Sequence, residues 1–155
     1  ALEKKLDRWR KIAASAAEQS GRGRIPEVVP VSSLAEAAQE AGQLDLVLLP
    51  YENARGMEAT AEALAALRPG MRIGIFIGPE GGFEETEVEA LAQAGARPLS
   101  LGRRILRTET AGLAALTLCM TALELAAERQ KAESQETGTV DREQEIPWET
   151  GDDQQ

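Results

Sequence analysis

Four short, mostly apolar runs, at 27–31, 44–49, 71–77 and 97–101, alternate with segments whose apolar residues recur every three or four positions. Short runs closed by Pro or Gly suit strands, and the three-and-four period suits amphipathic helices. The run 71–77 is nearly all apolar, as a parallel strand covered on both faces would be. Helices are expected at 2–19, 34–41, 57–67, 85–94 and 109–129. The first carries Leu2, Leu6, Trp9, Ile12, Ala13, Ala16 and Ala17 at helical spacing, and Gly21 stops it. Ser33 followed by Glu36 forms a capping box for the second, and Gly42 ends it. Strand and helix alternate, which predicts an α/β fold with a mainly parallel sheet and helices on both faces.

The 155 residues suffice for one well-packed domain and are short for two. We place that domain at 1–130. Beyond it, 131–155 is rich in Glu, Gln, Thr and Asp and reads as an acidic, disordered tail. The segment 128–155 holds nine acidic and three basic residues, so it carries -6 of the chain's net charge of -9. Positive patches therefore survive in the body. Lys4, Lys5, Arg8, Arg10, Lys11, Arg22 and Arg24 form one cluster, and Arg103, Arg104 and Arg107 form another. The first cluster reads equally as a nucleic-acid patch or as a solvated helix face.

Histidine is absent, which removes Ser-His-Asp and Cys-His catalysis and imidazole metal sites. The single cysteine, Cys119, lies in an apolar helical stretch and reads as a buried core thiol, so no disulfide within the chain and no metal site are expected. No uninterrupted apolar run approaches the roughly 20 residues of a membrane span, and no signal-peptide pattern follows the charged N-terminal segment. A soluble, cytoplasmic protein without a membrane partner is expected.

In open parallel sheets, ligands bind beyond the carboxyl ends of the strands. Three segments lie there: Leu48-Leu49-Pro50-Tyr51-Glu52, Gly78-Pro79-Glu80-Gly81-Gly82-Phe83, and the stretch 101–110. The glycines around Glu80 let a backbone approach a ligand, and the helix start that follows offers N–H donors. A phosphate loop does not fit, since no Lys follows the glycines, and the glycine spacing is wrong for a dinucleotide fingerprint. An ordinary tight turn remains the alternative. In the third segment Ile105 and Leu106 suggest an apolar slot, with Arg107 and Thr108 pointing polar groups into it. Thr108 serves equally well as a helix N-cap. Gly112, inside the next helix, suggests that a backbone or ligand passes close by.

Gly78-Pro79-Glu80-Gly81-Gly82-Phe83, then Leu101-Gly102 and Arg104-Ile105-Leu106-Arg107-Thr108-Glu109-Thr110-Ala111, resemble the two signature motifs of the RsmE-type ribosomal RNA uridine-N3 methyltransferases. Arg8-Trp9 with Ala16-Ala17-Glu18-Gln19-Ser20-Gly21-Arg22, and Leu48-Leu49 with Glu52, match the same pattern. The order and spacing of these segments over most of 8–125 make the match specific. The resemblance implies a SPOUT fold with a C-terminal trefoil knot, S-adenosyl-L-methionine as cofactor, ribosomal RNA of the small subunit as partner, and a homodimer. Carried onto this chain, Leu49, Gly78, Glu80, Gly81, Gly82, Leu101, Ile105, Leu106, Thr108 and Gly112 would form the cofactor site. Arg107 would face the substrate and stabilise negative charge on the uracil oxygens, while the N3 proton leaves to water or to a carboxylate such as Glu80 or Glu109. Members of the family begin with a β-barrel RNA-binding domain and a strand–helix unit, so this chain is expected to be an N-terminally truncated form. Two other readings are a SPOUT enzyme that methylates a ribose 2′-oxygen, and a cofactor-binding or dimerisation module without catalysis.

Overall fold

The structure, a computed structural model, describes residues 2–140. The chain forms two compact units, one up to Ala37 and one from Ala38 on.

In the first unit, α1 (Leu2–Gln19) buries Leu6 and Ala17, which lie eleven residues apart and so share one face. Its end is a Schellman motif. Arg22 N–H donates to the Ala17 carbonyl (2.9 Å) and Gly21 N–H to that of Glu18 (3.2 Å), with Gly21 at φ 65°. The strand expected at 27–31 does not form. Pro30 has no N–H to give a ladder, no described strand pairs with the segment, and Val29 and Val31 are each 60% exposed. The Val28 carbonyl instead accepts a bond from Arg10 Nε (3.3 Å). The capping box opens α2 (Leu34–Ala41): Glu36 Oε2 accepts from Ser33 N (2.8 Å) and Oγ (2.7 Å), and Ser33 Oγ accepts from Glu36 N (3.3 Å).

The second unit is built on three parallel strands in the order β2-β1-β3: β1 (Leu46–Pro50), β2 (Ile73–Ile75) and β3 (Ala96–Leu99). Leu46 pairs with Ile73 and Leu48 with Ile75 on one side of β1; Val47 pairs with Ala96 and Leu49 with Pro98 on the other. The central strand is apolar throughout and buried at four successive positions, 46–49. The edge strand β2 is shorter than the run 71–77 and only half-buried at each position, so it is not enclosed as its composition suggested. Pairing sets its length, because a strand extends only where a neighbour offers donors and acceptors. Asp45 joins the starts of β1 and β2, its Oδ2 accepting from Arg72 N (2.6 Å).

Three helices belong to the same unit: α3 (Glu58–Ala66), α4 (Glu85–Gln93) and α5 (Thr108–Val140). Contacts join α3 to β3 and α5, α4 to β3, and α5 to β2. Leu46, Leu48, Ala63, Leu67, Leu99 and Cys119 form one core cluster, with Ala122 and Leu123 packed against it. Cys119 is thus the buried core thiol its surroundings predicted, and burial raises its pKa. Thr60 is a buried polar residue whose Oγ1 donates to the Ser100 carbonyl (2.7 Å), fastening α3 to the end of β3.

Two expectations about α5 need correction. It continues through Val140, so the first ten residues assigned to the tail are helical; the remainder, 141–155, lies outside the described residues. The segment Thr108–Gln135 is also long and apolar enough, by length and composition, to cross a bilayer. Counting unbroken apolar runs missed this because Thr110, Gly112, Thr117 and Thr121 interrupt the run without adding charge. Ala115 and Cys119 are buried where α5 packs on β2 and α3, but only 11% of its apolar stretch is buried in the structure. Leu113, Leu116, Met120 and Leu125 are more than half exposed, so one side of the helix is uncovered.

Two outcomes are expected. Thr60→Val should lower stability by about 1–3 kcal/mol in denaturant unfolding, because it leaves the Ser100 carbonyl unpaired. The Ser33 backbone N–H and then its hydroxyl hold the Glu36 carboxyl below its ordinary pKa. The cap's contribution is therefore complete above the ordinary carboxylate range and is lost as pH falls through the lowered value. A carboxyl-detected NMR titration should find Glu36 ionising below the ordinary glutamate value, and Ser33→Ala, which removes the hydroxyl and keeps the backbone N–H, should raise it part of the way back.

Candidate functional site

Because all three strands are parallel, their carboxyl ends lie along one edge of the sheet, and the chain leaves each of them into a loop there. These loops, 50–57, 77–83 and 100–109, line a single cleft of about 1190 Å³. The three segments picked out in the sequence therefore converge, as the parallel topology requires.

The middle loop is a tight turn closed by Gly82 N–H donating to the Pro79 carbonyl (2.9 Å). Gly82 sits at φ 75°, and a Cβ there would run into the Glu52 carboxylate. A Cβ on Gly78 would lie 3.1 Å from the Phe83 ring, whereas Gly81 faces open space. A side chain is therefore strained at the third glycine and crowded at the first, and the second leaves its backbone accessible from the cleft. Thr108 Oγ1 donates to the Gly78 carbonyl (3.1 Å), linking the third loop to the second. Thr108 is not the helix N-cap: it is the first residue of α5, its hydroxyl reaches across to another loop, and the first helical carbonyl acceptor is Arg107 (2.7 Å from Ala111 N).

The start of α4 does not offer the free donors expected of it. Glu84 caps its N-terminus in a capping box with Glu87, and Glu85 and Glu87 add negative charge to the first turn. A phosphate would meet carboxylates where a phosphate loop presents bare N–H groups.

Of the predicted site residues, Gly78, Glu80, Gly81, Gly82, Leu101, Ile105, Leu106, Arg107, Thr108 and Glu109 all line the cleft. Leu49 does not: it is completely buried inside β1, one residue short of the loop. Nor does Gly112, whose nearest neighbour is the Ile77 side chain, 3.9 Å from a Cβ built on it, so the methyl group of an alanine would fit. Ile105 lies at the rim, 85% exposed, while Leu106 and Leu101 are half-buried; the apolar slot therefore has one wall open. Arg107, Glu80 and Glu109 are exposed, and none forms an ion pair within 4.0 Å among the described residues. Tyr51, Glu52, Asn53, Arg55 and Phe83 also line the cleft and were not selected as site residues. The signal for the first four was their place directly after a buried strand.

The model of the RNA methyltransferase domain family matches residues 1–120. The chain belongs to this family. It is 41% identical over 118 residues to ribosomal RNA small subunit methyltransferase E of Bacillus subtilis, covering 74% of this chain and 46% of that one. Among solved structures, a putative methyltransferase from Legionella pneumophila in complex with bound SAM is 35% identical with a TM-score of 0.69, over 78% of this chain and 48% of the other. Ribosomal RNA small subunit methyltransferase E from Neisseria gonorrhoeae, bound to S-adenosyl methionine, is 36% identical with a TM-score of 0.66, over 79% and 49%. The chain spans about half the length of the curated relatives it matches.

The glycines of the turn should separate by substitution. Gly82→Ala, at a positive φ and against Glu52, should cost about 1–2 kcal/mol in thermal unfolding, and Gly81→Ala should leave the melting temperature within error.

Proposed function

We propose that this chain is the cofactor-binding part of an S-adenosylmethionine-dependent methyltransferase acting on N3 of a uridine in small-subunit ribosomal RNA. The observation that carries the reading is the single cleft in which the two signature loops meet at the carboxyl edge of the parallel sheet. Its shape fits the cofactor. Gly81 leaves backbone open to a flat group, Leu101 and Leu106 supply apolar wall, and the carboxylates of Glu52 and Glu80 suit a cation. The self-capped start of α4 disfavours phosphate and is indifferent to a ligand without one. Relatives whose structures hold this cofactor support the same assignment.

Gly78, Glu80, Gly81, Gly82, Leu101, Ile105, Leu106 and Thr108 would hold the cofactor, with Leu49 and Gly112 shaping the cleft from behind its lining. When bound, S-adenosylmethionine supplies a sulfonium methyl group open to in-line attack. Arg107, free of ion pairs among the described residues, would hold the uracil by its oxygens and stabilise the charge left as N3 loses its proton. Glu80 or Glu109 would take that proton directly or through water. The rest of the work is alignment, which the Thr108–Gly78 bond supports by tying the two loops together. The finer architecture belongs to the same reading: helices on both faces of the sheet, a SPOUT-type C-terminal knot, a cytoplasmic setting and a homodimer. The uncovered apolar residues of α5, among them Leu113, Leu116 and Met120, support the dimer.

Calorimetric titration with S-adenosylhomocysteine should show one saturable site per chain. In methyl transfer to small-subunit RNA, Arg107→Ala should lower turnover by about 10²–10³-fold while leaving S-adenosylhomocysteine affinity within about threefold. Loss of binding with turnover per bound cofactor preserved would reassign Arg107 to the cofactor.

A further inference from the structure

Charge is divided unevenly along this chain. Residues 1–24 hold seven basic and three acidic side chains, whereas the remaining 131 hold ten basic and 23 acidic. The positive segment is mostly α1, and the folded helix sorts its charges further. At 100° per residue Lys4, Arg8, Lys11 and Ser15 fall within about 60° of one another, roughly opposite the buried Leu6 and Ala17. Together with Asp7 and Ile12 they border one shallow depression of about 530 Å³ along the helix.

The basic side chains of this segment differ in what already occupies them. Arg10 is held by Asp7 (3.6 Å) and by the Val28 carbonyl, and the Lys5 ammonium sits 5.7 Å from the centre of the Trp9 ring. Lys4, Arg8 and Lys11 make no ion pair within 4.0 Å among the described residues, and the nearest acid on their face, Asp7, is engaged by Arg10. Three unneutralised cations thus stand in a row spanning about 10 Å of helix. Arg22 and Arg24, both exposed, follow beyond the Schellman turn.

We propose that this face of α1 is a docking surface for the ribose–phosphate backbone of RNA, built on Lys4, Arg8 and Lys11. The inference rests on the RNA methyltransferase reading for the identity of the partner, and on charge complementarity for the place. A row of cations in a chain of net charge -9 has a polyanion as its natural complement, since release of the polyanion's counterions drives such binding. The RNA methyltransferase reading favours RNA over an anionic membrane, which Leu2, Trp9 and Ile12, exposed on the same helix, would also suit and which the test therefore includes. The cleft and this surface would divide the work, one holding cofactor and base, the other gripping backbone without reading sequence.

The test compares the full chain with Lys4→Gln/Arg8→Gln/Lys11→Gln and with a control, Arg97→Gln/Arg129→Gln, that removes exposed charge elsewhere. Fluorescence anisotropy with a labelled small-subunit RNA hairpin, over a range of salt, should show affinity falling at least tenfold in the triple variant. The slope of log K against log salt should shrink by about 2, and the control should stay within twofold. Equal affinity and slope in the triple variant and the wild type overturn the proposal, as does a wild-type chain that binds no RNA at low salt. Vesicles of phosphatidylserine and phosphatidylcholine complete the set: vesicle binding that needs the three cations, with RNA binding that does not, overturns it in favour of a membrane. S-adenosylhomocysteine titration of the same samples separates this inference from the one it rests on. Intact cofactor binding with RNA binding indifferent to the triple change sinks the surface alone. RNA binding that needs the three cations in a folded chain that ignores S-adenosylhomocysteine supports the surface and counts against methyl transfer.

Discussion

The burial of β1 is the constraint on which the second unit depends. Four successive apolar residues, Leu46 to Leu49, are at most 4% exposed, so apolar cover is needed for the alternating side chains on both sides of the strand. Parallel neighbours leave every connection to cross back over the sheet, and the three loops that leave the strand ends then crowd onto one edge. The cleft is a consequence of that arrangement. Pro50 ends the strand and turns the chain outward, so Leu49 stays in the core while Tyr51 and Glu52 reach the cleft wall.

Within the cleft, the polar groups are arranged by the chain's own demands before any ligand arrives. Thr108 holds the Gly78 carbonyl, and Glu84 and Glu87 close the start of α4. Arg107, Glu80 and Glu109 are among the cleft residues that form no ion pair among the described residues, beside open backbone at Gly81. The cleft therefore presents charges of both signs, Arg55, Arg103, Arg104 and Arg107 with Glu52, Glu80 and Glu109, around that backbone.

Much of this was legible because the signals are short in range. The ends of α1 and α2 follow from Gly21 and from Ser33 with Glu36, interactions between residues three to five apart. The reading failed where partners come from elsewhere in the chain. Val29 and Val31 have strand-like character and no strand beside them, and Pro30 withholds a donor. The apolar run around β2 is longer than the strand, because pairing with β1 decides how much of it becomes a ladder. The capping box of α4 is local, and Glu84 followed three residues later by Glu87 spells it in the sequence.

By itself the sequence determined the alternation of strands and helices, the turn glycines, the helix caps and the three segments at which a ligand site would form, since each depends on residues close together in the chain. Only the tertiary structure decided which side chains of those segments face the cleft. Leu49 went to the core, Ile105 to the open rim, and the Thr108 hydroxyl to a carbonyl 30 residues away. The Thr60 bond to Ser100, across 40 residues, belongs to the same class. The physical reason is that burial and cross-loop bonding depend on which distant parts of the chain share one packed volume, a property that no short stretch of residues carries alone.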